Sequence, residues 1–306
     1  MTQVNQSVLG DLDLSPQQVS NILDLAIDMK ANPMSYADAL KGKAVATLYE
    51  KPSLRTRVSF DVGIHKMGGH AVYLDQQNGA MGKREDVADF GGNLSCWVDA
   101  IVARVMSHDT LVELKQAASV PVVNSLCDLY HPCQALADYM SLKELFGELK
   151  GLTLAYIGDG NNVTHSLMLT GAQLGVNLVV VHPEGHGINA DVEQQAQVIA
   201  DNSGATITVT TDINAISNVD AIYADTWISM GDGKKLEDII AKFQPYQITK
   251  QLMDKLNAKY FMHCQPAHRD EEVTAEVLDS EQSIIFRQAE NRMWAQNALL
   301  HTLLVK

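Results

Sequence analysis

Short apolar runs recur along this chain with helical patterns between them, and that alternation constrains the fold more than any other feature. "KAVATLY" (44–50), "GGHAVYLD" (68–75), "DAIVARV" (99–105) and "VPVVNSL" (120–126) have the length and residue types of strands. The segment from Arg55 to Met67 reads as a helix, with Val58, Val62, Ile64 and Met67 at helical spacing, and a second helix is expected near 109–118. Strands alternating with helices imply a parallel sheet covered on both faces. A longer helical stretch, "HPCQALADYMSLKELFG" (131–147), closes on glycine, and the pattern then restarts. "LTLAYIGD" (152–159), "VNLVVVHP" (176–183), "ATITVT" (205–210), "VDAIYADTW" (219–227) and "KYFMHCQP" (259–266) continue the strand series, with a helix in "NNVTHSLMLTGAQLG" (161–175). The restart predicts two α/β domains joined by the helix that begins at 131. The amphipathic segment "AENRMWAQNALLHTLL" (289–304) is a helix that the pattern assigns to neither domain.

The chain's 306 residues, 46% of them hydrophobic, suffice for two cores. A formal net charge of -14 argues against a nucleic-acid or anionic-membrane partner, which would need a basic face. No run approaches the roughly 20 apolar residues of a membrane helix, and no early segment has the pattern of a secretory signal. Cys96, Cys127, Cys133 and Cys264 form no CxxC pair, so reduced thiols in a cytoplasmic protein are expected.

Ligands of open parallel sheets sit beyond the carboxyl ends of the strands, and polar clusters concentrate there. "SLRTR" (Ser53, Leu54, Arg55, Thr56, Arg57) opens a helix after a strand, where free N–H groups and the helix dipole favour an anion. Two arginines add planar donors suited to phosphate, although a surface ion-pair cluster capping the helix fits the same residues. Without a glycine-rich P-loop, a nucleotide triphosphate is not the favoured anion. Arg104 ends the third strand, as a site residue or a structural ion-pair partner. His131 and Gln134 follow the fourth, where a cap or core contact is the plainer role. "GDGNN" (158–162) places Asn161 and Asn162 at a helix start, but its spacing is not G-x-G-x-x-G, so a plain turn competes with a cofactor loop. Asp225 with the Ser229–Gly231 loop, and His263 with Cys264, end two further strands.

These residues resemble the aspartate/ornithine carbamoyltransferase family over nearly the whole chain. Ser53-Leu54-Arg55-Thr56-Arg57 corresponds to its S-T-R-T-R motif, and His131 to Asp138 match H-P-x-Q-x-L-A-D. Asp225, Ser229, Met230 and Gly231 match the D-x-x-x-S-M-G of the ornithine branch. His263-Cys264-Gln265-Pro266 and Glu290-Asn291-Arg292 correspond to H-C-L-P and E-N-R. The resemblance implies a carbamoyl-phosphate domain (1–132, with the last helix, 289–306, crossing back to it), a linking helix (133–149) and an ornithine domain (150–285). It places Ser53, Leu54, Arg55, Thr56, Arg57, Arg104, His131, Gln134, Cys264, Gln265 and Arg292 at carbamoyl phosphate, and Asn162, Asp225, Ser229 and Met230 at L-ornithine. Arg104, His131 and Cys264 would be the catalytic residues.

The implied reaction is transfer of the carbamoyl group to the δ-amine of L-ornithine, giving citrulline and phosphate in arginine metabolism, with putrescine or an N-acylated ornithine as alternative acceptors. Neither metal nor cofactor is expected, and the family implies a homotrimer or an assembly of trimers. A non-catalytic binding module and a dehydrogenase are weaker rivals. Three positions depart from the family pattern: Leu54 for threonine, Gln265 for leucine, and Ala80 before Met81-Gly82, where Gln or His is frequent.

Overall fold

The computed structural model of the protein describes residues 6–51, 53–75, 85–227 and 236–305. Ala80, Ser229 and Met230 lie outside them. The chain divides into two compact units, Met1–Met140 with Glu290–Lys306, and Ser141–Ala289.

Among the described residues the first unit holds four parallel strands, β1 (Ala44–Tyr49), β2 (His70–Leu74), β3 (Ala100–Arg104) and β4 (Val122–Leu126), in the order β2-β1-β3-β4. Near-continuous apolar strands are what a sheet covered on both faces demands, and β1, β3 and β4 are buried along almost their whole length. Ala46, Leu48, Ile101, Ala103 and Val122 pack with Leu111, Leu114 and Phe90. Among the described residues its helices include α1 (Pro16–Ala31), α2 (Leu54–Lys66), α3 (Val87–Ser95), α4 (His108–Ala117) and the start of α5 (Pro132–Phe146). α1 begins with a capping box, Ser15 with Gln18, and Pro16 at its first position.

The second unit holds five parallel strands, β5 (Thr153–Ile157), β6 (Asn177–Val181), β7 (Ile207–Thr210), β8 (Ala221–Ala224) and β9 (Tyr260–His263), in the order β7-β6-β5-β8-β9. Its helices include α6 (Asn162–Gln173), α7 (Ala190–Ser203), α8 (Leu236–Phe243), α9 (Lys250–Lys255) and α10 (Ala275–Leu278). Ala172, Ala200 and Ala205 let α6 and α7 pack closely.

The last helix, α11 (Ile285–Leu304), returns the chain to the first unit. There Lys30 at the end of α1 bonds Asn291 at 2.7 Å and Glu290 at 3.0 Å. A Cβ on Gly63 of α2 would lie 2.1 Å from Asn297 Oδ1 and 3.2 Å from Met293 Cγ, so a larger residue there would displace these side chains of α11.

Both strand orders reverse direction once. In the first sheet the chain runs from β1 to β2 on one side, then to β3 on the other; in the second it runs from β5 through β6 to β7, then to β8. Loops at such a switch point diverge and leave a crevice at the carboxyl ends of the strands. The crevices lie between β1 and β3, and between β5 and β8.

Candidate functional site

The β1–β3 switch point is lined by basic and hydroxyl groups. Arg104 ends β3 in register with Tyr49, the last residue of β1. Ser53 then caps α2 in an extended conformation, without a capping bond from its side chain. Leu54, Arg55 and Arg57 are exposed, Leu54 at 75%, while Thr56 turns inward and is buried.

Thr56 Oγ1 accepts from Arg292 Nη2 at 2.8 Å and from Arg104 Nη1 at 3.4 Å. With both lone pairs engaged by guanidinium groups, its O–H is left to donate. Arg292, from α11, also donates to Gln134 Oε1 at 3.0 Å and meets His131 Nε2 at 3.2 Å. Since arginine only donates, His131 Nε2 accepts, and the proton of the neutral ring sits on Nδ1. Burial holds the His131 pKa well below its usual range, reinforced by Arg292 and Arg104, so the ring is neutral at pH 7. Gln134 in turn donates to the buried carboxylate of Asp138 at 2.8 Å. The cysteine of the same segment is inert, for burial pushes the Cys133 thiol up to about 12.

Thus Thr56, Arg104, His131, Gln134 and Arg292 form one hydrogen-bonded cluster. Arg57 is held elsewhere: its guanidinium lies 3.6 Å over the Tyr73 ring and pairs with Asp61 at 3.5 Å.

The β5–β8 switch point carries acidic and amide groups. Asp225 follows β8, and its Oδ1 accepts from Cys264 Sγ at 2.9 Å and from the Thr226 N–H at 2.8 Å. Asp225 Oδ2 accepts from Asn161 Nδ2 at 2.8 Å. Asn161 Oδ1 meanwhile caps α6, accepting from the N–H groups of Val163 and Thr164, and so places Asn162 on the first turn. The loop before it is tightly packed, since a Cβ on Gly160 would meet the Gly187 carbonyl carbon at 2.5 Å.

Cys264 and Gln265 follow β9. Gln265 has φ of 60° and precedes a cis proline. The Gln265 N–H donates to His263 Nδ1 at 2.9 Å, which leaves the proton on Nε2 to face the buried Glu272 at 3.2 Å. Asp225, His263 and Cys264 each offer one metal-ligand atom, all within 4.8 Å of one another, as do His268, Glu271 and Glu272.

Three participants escaped the sequence reading in these roles. Asp138 is readable, lying one helical turn after Gln134. Asn161 stands in the quoted "GDGNN", but its bond to Asp225 follows from β5 and β8 being neighbours. Glu272 gives no local sign of its partnership with His263.

Two doubly covered parallel sheets, one with a preassembled cationic cluster at its switch point and one with a carboxylate–thiol–amide cluster, define a two-unit α/β enzyme that handles a polar, anionic substrate. The family described as aspartate/ornithine carbamoyltransferase, carbamoyl-P binding domain, matches residues 6–144, and its Asp/Orn binding domain matches residues 150–303. An ornithine carbamoyltransferase of Vibrio sp. (strain 2693) is 57% identical over 299 residues, covering 98% of this chain and 99% of that one. One from Bacillus subtilis is 43% identical over 296 residues, covering 96% and 92%. The solved structure of ornithine carbamoyltransferase from Pyrococcus furiosus superposes with a TM-score of 0.94 at 42% identity, covering 100% of this chain and 98% of that one. The chain belongs to the aspartate/ornithine carbamoyltransferase family.

Proposed function

We propose that the protein is an ornithine carbamoyltransferase: it transfers the carbamoyl group of carbamoyl phosphate to the δ-amine of L-ornithine, giving L-citrulline and phosphate. The observation that carries the proposal is the buried cluster in which Arg292 joins Thr56, His131 and Gln134. Cationic donors already bonded into position suit a dianionic phosphate and a developing oxyanion, because they need little reorganisation during the reaction.

In this scheme Ser53, Leu54, Arg55 and Thr56 hold the phosphate through the first turn of α2, with the Thr56 O–H as a donor. Arg57, stacked on Tyr73, supplies positive charge beside that turn. Arg104 and Arg292 stabilise negative charge on the carbamoyl oxygen. His131, neutral and buried, adds one N–H donor and is a poor proton source at pH 7. Gln134 takes the carbamoyl NH2. Asp225 pairs with the α-ammonium of ornithine, aided by Asn162, and the family motif assigns Ser229 and Met230 to the same substrate. The family resemblance assigns Cys264 and the Gln265 carbonyl to the reacting centre.

The neutral δ-amine attacks the carbamoyl carbon; the C–N bond forms, the C–O bond to phosphate breaks, and the departing phosphate accepts the amine proton. Each well-placed donor to the oxyanion contributes roughly 3–4 kcal/mol, and holding both substrates in line adds to that.

We further propose that the enzyme works in the cytoplasm, in arginine biosynthesis, as a homotrimer. The reduced-thiol pattern supports the first, and the family resemblance supports a place in arginine metabolism and a trimer. Sedimentation at three times the chain mass is the expected result.

An acceptor panel tests the central assignment. With carbamoyl phosphate, L-ornithine should yield citrulline, while putrescine and N-acetylornithine should react far more slowly. The rate should rise with pH as the ornithine amine deprotonates. Preferential carbamoylation of putrescine, or no turnover of ornithine at any pH, would overturn it.

A further inference from the structure

The Gln134 side chain is gripped at both ends. Its Nε2 donates to Asp138 Oδ1 at 2.8 Å, and its Oε1 accepts from Arg292 Nη1 at 3.0 Å. A carboxylate only accepts and a guanidinium only donates, so this pair of neighbours admits one of the two flips of the amide. All three side chains are buried, Asp138 fully. Asp138 lies one turn beyond Gln134 on α5, and the proposed catalytic scheme gives it no task.

We propose that Asp138 is a positioning residue that locks the Gln134 amide with its oxygen toward the Arg292 cluster, so that the site selects acyl phosphates bearing an NH2 group. The assignment rests on carbamoyl phosphate occupying that cluster. A carbonyl oxygen has two lone pairs; Arg292 takes one, and the other is free to accept an N–H from a carbamoyl group. A methyl group of the same size, as in acetyl phosphate, leaves that lone pair buried and unpaired. A carboxylate in its place sets anion against oxygen. With the opposite flip Gln134 would present its own NH2 and disfavour the carbamoyl group. Donation to the Asp138 oxygen also polarises the amide and strengthens the accepting end. Discrimination built on a hydrogen bond rejects the isostere lacking it more sharply than shape does.

Two stable ligands isolate the effect: phosphonoacetamide and 2-oxopropylphosphonate, which differ only by NH2 against CH3. Calorimetric titration of the wild-type protein should show the amide bound about tenfold more tightly, the worth of one hydrogen bond. Asp138→Leu keeps the shape of the side chain and removes the acceptor, and should lower the ratio severalfold, because Arg292 alone then holds the amide. Asp138→Asn carries the same test if the leucine variant does not fold: its amide can face Gln134 with either atom, so the ratio falls less steeply.

Phosphate affinity, measured with methylphosphonate, should stay within about twofold of wild type in the folded variants, as expected where no phosphate contact is removed. An unchanged ratio in whichever variant folds overturns the proposal, and so does equal weakening of both ligands, which marks a packing role. Failure of the wild-type protein to bind either ligand would instead remove the assignment of carbamoyl phosphate to this cluster.

Discussion

The two switch-point clusters are built on opposite principles. In the first unit the charges are fixed: two guanidinium groups that stay ionised, a histidine forced neutral by burial, and a hydroxyl and an amide bonded to them. Its members are already bonded to one another, apart from the exposed start of α2. In the second unit a single carboxylate gathers donors from three places, a thiol after β9, an amide before α6 and the N–H of its neighbour. A cation such as an ammonium would compete for the same oxygens. The first cluster is thus suited to receive an anion without rearrangement, whereas the second exchanges internal bonds for bonds to its ligand. Preorganisation favours the transition state, and exchangeable bonds favour reversible binding and selection among amines.

The largest effects should separate the two clusters. Arg292→Ala removes a buried cation and takes one hydrogen-bond partner from each of Thr56, His131 and Gln134. It should lower kcat/KM for carbamoyl phosphate by at least about a hundredfold, the scale seen when one oxyanion donor is lost. Asp225→Ala should raise the KM for ornithine by a comparable factor, because a paired charge is lost, and leave the KM for carbamoyl phosphate within about twofold. Steady-state kinetics with each substrate varied in turn checks both. If each substitution disturbed the two substrates equally, the contrast between the clusters would be wrong.

Arg104 and His131 announce themselves in the sequence, since each stands where an apolar run ends and strand ends are where parallel sheets bind ligands. The parallel α/β class was legible for the same reason, and the two sheets agree with it. The helices at 16–31, 87–95 and 190–203 were not specified by the strand pattern alone. Strand order was not legible either, because it depends on which crossover each helix makes. With it went the neighbours that meet through order, such as Asn161 with Asp225, 64 residues apart. Arg57 shows the opposite difficulty. The motif treats Arg55 and Arg57 as equals, yet Tyr73, on the strand paired with β1, draws Arg57 onto its ring.

Asn161 offers a finer way to probe the second cluster, because it caps α6 and steadies Asp225 at once. Asn161→Ala loses both functions. The cap is worth about 1 kcal/mol, visible as a lower melting temperature. The bond to a carboxylate should appear as a roughly tenfold rise in KM for ornithine. Asn161→Ser separates the two, since serine caps well but is too short to reach Asp225. Its melting temperature should return toward wild type while the KM for ornithine stays high. Recovery of both together would reduce Asn161 to a cap.

The smallest effect concerns the neutrality of His131. An unfolded histidine takes up a proton near pH 6.5, whereas folded His131 does so only well below that value, because burial and two arginines oppose the charge. As pH falls through about 6.5 the unfolded state therefore binds the extra proton, and linkage makes the fold less stable; well above that value the dependence fades out. Between pH 6.5 and 5.5 the loss should be about 1 kcal/mol. Urea denaturation of the ligand-free protein at pH 7.5, 6.5 and 5.5, compared with His131→Asn, isolates the contribution. His301, whose pKa burial also lowers, is common to both proteins and drops out of the difference. The wild type should lose that much more stability than the variant over the acidic interval, and the two should become parallel well above it. Parallel curves throughout would mean that folded His131 takes up a proton as readily as the unfolded chain does, and would return to it the role of a proton donor that its buried, arginine-flanked position denies.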